Sequence, residues 1–91
     1  MPSIQIERKH RKSIADAKTA VEKVAKHLAS RFDVDYEWRG NTLAFSRTGV
    51  SGRIALTKGM VEVLADLSFL LGPIKPAIER EIEKHLEREF G

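Results

Sequence analysis

The chain contains no cysteine. That excludes a disulfide framework, a thiolate nucleophile and any zinc site built on sulfur, and it removes the need for an oxidising compartment. Long hydrophobic runs are missing as well. The longest apolar stretch, Val63 to Ile74, is interrupted by Asp66 and by Gly72-Pro73, well short of the ~20 residues a membrane-spanning helix needs. The opening Met1-Pro2-Ser3-Ile4-Gln5-Ile6-Glu7 has no continuous apolar segment of the kind a signal peptide requires. The expected location is therefore cytoplasmic. Linkers, internal repeats and low-complexity segments are also lacking.

What is present describes a soluble globular domain. The 91 residues are 42% hydrophobic and 32% charged, an ordinary globular balance. A chain of this size forms one domain, residues 1–91, and buries roughly two-thirds of its unfolded surface. The net charge of +3 implies mild attraction to anionic surfaces. Its distribution says more: Arg8, Lys9, His10, Arg11 and Lys12 form one basic block, whereas the C-terminal third alternates both signs.

Apolar periodicity orders the elements. Ile4 and Ile6 alternate with Gln5, Glu7 and Lys9, a half-buried strand over Ser3 to His10. Ser13 followed by Asp16 resembles a capping box. Behind it, Ile14, Ala17, Val21, Val24, Ala25, Leu28 and Phe32 make one helical stripe, with Glu22 and Lys26 spaced as an i,i+4 pair beside it. Val34, Tyr36 and Trp38 then alternate with charged residues. Gly40-Asn41 is a two-residue hairpin signal with glycine at the first central position. Leu43 and Phe45 face inward, Gly49-Val50-Ser51-Gly52 reads as the next turn, and Ile54 and Leu56 face inward again. After Lys58-Gly59, the residues Val61, Val63, Ala65 and Leu67 complete the last strand. A final helix begins near Gly72-Pro73, with proline at its start, and Ile74, Ala77, Ile78, Ile82, His85, Leu86 and Phe90 form its stripe. The order β-α-β-β-β-β-α, with one apolar face per element, predicts an α+β two-layer sandwich: an antiparallel sheet of about five strands with both helices on one face. The first strand either joins at an edge or pairs with the last strand.

No catalytic constellation emerges. Ser51 lies between glycines but is flanked by strands, so it is no nucleophile elbow, and no lysine and helix follow to make a phosphate loop. His10, His27 and His85 have no i,i+4 partner among themselves, and no carboxylate cluster joins them at ligand spacing. Glu79, Glu83 and Glu87 fall on one solvated helical row, and acid–base chemistry requires a carboxylate in a cleft. Neither a metal nor a cofactor is expected. Arg8, Lys9, Arg11 and Lys12 are the polyanion candidates. However, strand alternation separates Arg8 and His10 from Lys9, and no aromatic interleaves the block for base stacking, so nucleic acid is not the expected partner. Tyr36, Trp38 and Phe45 share one face, as cross-strand packing or as the lining of a small apolar cavity. Phe69, Leu70, Leu71 and Pro73 are the candidate apolar contact. They cluster at a strand-to-helix junction, either plugging the core or offering a surface to a partner. Leu64, apolar on the polar side of the sheet, points to a possible homodimer face.

Two blocks, Trp38 to Gly52 and Leu67 to Lys75 followed by Ile78-Glu79-Arg80-Glu81-Ile82, together with Ile4-x-Ile6-x-Arg8-Lys9-His10, resemble the small bacterial polyhydroxyalkanoic acid system proteins. The resemblance spans nearly the whole chain. It implies association with storage-polyester metabolism and supplies no catalytic residues. On that resemblance the expected role is a non-enzymatic accessory protein at the polyhydroxyalkanoate granule or on a granule-associated protein. The alternatives are a binder of small hydrophobic ligands and a polyanion-binding module.

Overall fold

The computed structural model describes residues 3–90; Met1, Pro2 and Gly91 lie outside the described residues. Strand β1 (Ser3–Lys9) leads to helix α1 (Ile14–Phe32). Four strands follow, β2 (Asp35–Arg39), β3 (Thr42–Arg47), β4 (Val50–Thr57) and β5 (Met60–Leu67). A 3-10 helix over Phe69–Ile74 then runs into α2 (Lys75–Phe90). The strands form one antiparallel sheet in the order β1-β5-β4-β3-β2. The first strand thus does both things the sequence left open: it is an edge strand, and it pairs with the last one.

Helix α1 starts where its sequence says. The Ser13 hydroxyl accepts the N–H of Asp16 at 3.2 Å, satisfying one of the orphan donors of the first turn. It ends at Asp33, whose left-handed φ of 59° lets its N–H reach the Ala29 carbonyl. Arg47 from β3 adds a second C-terminal partner, its guanidinium donating to the Phe32 carbonyl at 2.8 Å. The stripe Ala17, Val21, Val24, Ala25 and Leu28 is buried together with Ile78, Ile82 and Leu86 of α2 and the inward rows of the sheet. One contiguous core results, its largest fully buried members including Ile4, Leu43, Ile54, Leu67, Ile82 and Leu86.

Two boundaries differ from the sequence expectation. The turn between β3 and β4 is only Thr48-Gly49, because Arg47 pairs directly with Val50. Ser51 and Gly52 are strand residues. Gly49, at φ +85°, makes the tight turn possible. Gly52 is required for a different reason: a Cβ there would lie 2.6 Å from both the Phe45 ring and the Leu64 carbonyl oxygen. The second boundary is the start of α2. Pro73 belongs to the 3-10 helix, and Pro76 lies in the first turn of α2, where a missing N–H removes no intrahelical bond.

Candidate functional site

The 3-10 segment projects from the end of β5. The Ser68 N–H donates to the Gly49 carbonyl at 2.7 Å, and the Leu71 N–H donates to the Ser68 carbonyl at 2.9 Å. These bonds fix the backbone and divide the side chains. Leu71 turns inward and packs so closely on Gly49 that a Cβ there would meet its Cδ1 at 2.6 Å. Phe69 and Leu70 turn outward and are 82% and 86% exposed. Pro73 is exposed beside them, and Ile74, which periodicity placed on the helical stripe, is itself 37% exposed. The junction therefore does both jobs at once: Leu71 closes the core, while Phe69, Leu70 and Pro73 form an apolar tip.

Tyr36, Trp38 and Phe45 do share the helix-facing side, with Tyr36 directly opposite Phe45. Phe45 is buried, whereas Tyr36 and Trp38 are half-buried. What fixes the latter two is Glu22. The Tyr36 hydroxyl donates to Glu22 Oε2, and the Trp38 indole N–H donates to Glu22 Oε1 at 2.7 Å. The phenol bond, then the indole bond, hold the Glu22 carboxyl below its usual range, and the same bond pushes the Tyr36 hydroxyl up. Lys18 completes the arrangement, 4.8 Å above the Trp38 ring and bonded to the Gly40 carbonyl at 3.1 Å. Sequence spacing alone ties Glu22 to Lys26 and cannot see the hairpin arriving over that helix face. The enclosed apolar space by Phe45, shared with Leu28, Phe32, Val34 and Ile78, is about 10 Å³, about one water's worth.

At the other end of β1, Arg8, Lys9, His10, Arg11 and Lys12 bound one open hollow of about 490 Å³ together with Phe90. His10 is buried and anchors this loop. Its N–H donates to the Gly59 carbonyl at 3.0 Å, its Nδ1 accepts the Lys12 N–H at 3.1 Å, and its ring lies 5.2 Å from that of Phe90. Alternation still sets a half-buried Arg8 against an exposed Lys9 within β1, but beyond Lys9 the chain leaves the sheet, and all five residues border the hollow. The contribution of Phe90, from the far end of the chain, had no local sequence signal.

The remaining histidines meet across the helix pair. His27 and His85 stack at 4.0 Å and 9°, and His85 Nε2 lies 3.1 Å from Glu81. The His85 bond is the main cause that lowers the Glu81 carboxyl. Among the described residues no group of three or more His, Cys, Asp or Glu is placed to hold a metal ion, and no helix is long and apolar enough to cross a membrane.

The molecule is thus an α+β sandwich with an apolar tip, a cationic hollow and no assembled catalytic group among its described residues. Its sequence from residue 4 to residue 90 matches the family described as "Putative polyhydroxyalkanoic acid system protein", and the chain belongs to that family. No curated protein and no solved structure matches it.

Proposed function

We propose that this chain is a non-enzymatic accessory protein of polyhydroxyalkanoate storage that contacts the surface of the storage granule through its apolar tip. The observation that carries the reading is the outward pair Phe69 and Leu70, the two most exposed large hydrophobic residues described. They sit on a backbone that hydrogen bonds hold in place. Isolated surface leucines are common, but two adjacent, almost fully exposed large side chains on a short ordered segment suit a contact surface. Family membership supplies the polymer as the apolar surface to test.

Burying one such side chain contributes about 1.5–3 kcal/mol. Two contribute about 3–6 kcal/mol before the cost of association is met, a contact that is weak and reversible for a single molecule. The test is cosedimentation of the purified protein with amorphous polyhydroxyalkanoate granules at low and high salt. Binding that survives high salt and is lost in Phe69→Ser/Leu70→Ser supports the reading, because an apolar contact is not screened by ions. No binding at either salt, or undiminished binding by the variant, overturns it.

A further inference from the structure

The cationic hollow lies at the opposite end of the β1–β5 ladder from the tip and shares no residue with it. Among the described residues, Arg8, Lys9, Arg11 and Lys12 enter no ion pair, as is true of most of the chain's Lys and Arg; what sets these four apart is that they are adjacent. Glu89, the acidic neighbour of Phe90, is held by Lys23 at 3.8 Å. Four of the 16 Lys and Arg fall within five consecutive residues, with no carboxylate between them. Like charges crowded into one loop repel, and a fold that keeps them there without carboxylate partners gains when an anion fills the space between them.

The loop is also held in shape. His10 is 93% buried, bonded through its backbone to the turn before β5 and through Nδ1 to Lys12. With Nδ1 acting as acceptor, the ring hydrogen is on Nε2, a buried atom with no protein partner. Helix α1 begins just beyond, after Ser13, so its free N–H groups and positive dipole end add to the same field. Phe90 brings a half-buried aromatic ring to the rim.

We infer that this hollow binds the phosphate backbone of a single-stranded nucleic acid, with Arg8, Lys9, Arg11 and Lys12 neutralising phosphates and Phe90 offering a face for one base. Two features speak against nucleic acid in the linear sequence, a divided block and no aromatic; the fold brings all five basic-block residues to the border of one hollow despite the Arg8/Lys9 alternation, and it supplies the missing aromatic as Phe90. Base recognition here is by stacking and charge, hence tolerant of sequence. A duplex fits less well, since its bases are already stacked and unavailable to a ring at the rim.

The experiment is fluorescence anisotropy of a labelled oligothymidylate with the full chain across a salt series. With three or four phosphates neutralised, the slope of log K against log salt is expected near −2 to −3, at about 0.7 per phosphate for a single strand. Arg11→Glu/Lys12→Glu, two exposed positions, should lower affinity at least tenfold. Arg53→Glu/Arg80→Glu changes the charge equally at exposed sites outside the hollow and should have a much smaller effect. Phe90→Ala, checked with Phe90→Leu and by thermal melting of both, should weaken the oligonucleotide several-fold and leave inorganic polyphosphate unchanged. Equal binding by the Arg11/Lys12 variant, or an equal loss in the distant variant, overturns the site. Polyphosphate binding as tightly as oligothymidylate, with no effect at Phe90, overturns the nucleic-acid assignment. Granule cosedimentation should be unaltered by Arg11→Glu/Lys12→Glu, so failure here is distinct from failure at the tip.

Discussion

Glu22 shows how much one side chain can organise. Its two oxygens serve two aromatic donors from the edge strand β2, and both bonds favour the ionised carboxylate. Its folded pKa is depressed, so its contribution is fully present above the unfolded value of about 4.3 and is lost as pH falls through the lower folded value. Tyr36 is shifted the opposite way, so its share persists below about pH 10 and disappears as pH rises past the folded value. Glu22→Gln should cost about 1–2 kcal/mol at pH 7, less than two charge-assisted bonds in full because the site is partly solvated. In thermal melts, the gap between wild type and variant should narrow in strong acid; a gap independent of pH would contradict the carboxylate's role. Gly52 is a second sharp test. A methyl group there meets a backbone carbonyl and a buried ring at 2.6 Å and Ala65 Cβ at 2.9 Å, with no flexible end to give way. Gly52→Ala should lose about 2 kcal/mol or more in denaturant unfolding, although alanine in an ordinary strand position is tolerated.

Among the elements, those with one clean periodicity are legible in the sequence itself. The α1 stripe, the β2–β3 hairpin with Gly40 at φ +64° and the inward row of β5 all fall where alternation puts them. What periodicity misses are the places where backbone bonding or long-range packing decides. Ser51-Gly52 has turn composition, yet Gly52 is there for close packing between β3 and β5. The run from Phe69 to Leu71 reads as one apolar block, and only the 3-10 geometry separates an inward Leu71 from an outward Phe69 and Leu70. The assembly of the basic hollow needed Phe90 from α2, which no local pattern announces. The divided tip makes its own prediction. Leu71→Ser should lower the melting temperature, because it opens the contact with Gly49, while Phe69→Ser/Leu70→Ser should leave it within a degree or two. Equal losses in both would mean the outward pair is packed in solution.

For the molecule as a whole, the β1–β5 ladder sets the polarity. It pairs Lys9 with Met60 at one end and Ser3 with Asp66 at the other. The cationic loop follows the first end and the apolar tip the second, so the two features are separated by the length of β5, eight residues or roughly 23 Å. The overall extents are 38 × 22 × 22 Å. Five strands about 4.8 Å apart cover only ~19 Å across the sheet, so the long dimension runs along the strands, from pole to pole. A chain that adsorbs by its tip must therefore stand on end. Each copy then occupies a footprint of about 22 × 22 Å and the coat is about 38 Å deep, against about 22 Å if the molecule lies on its side. Neutron reflectometry on a polyhydroxyalkanoate film distinguishes the two depths. An upright layer would hold the Arg8–Lys12 loop of every copy at its outer edge, giving an uncharged polyester a surface that carries an outward row of positive charge.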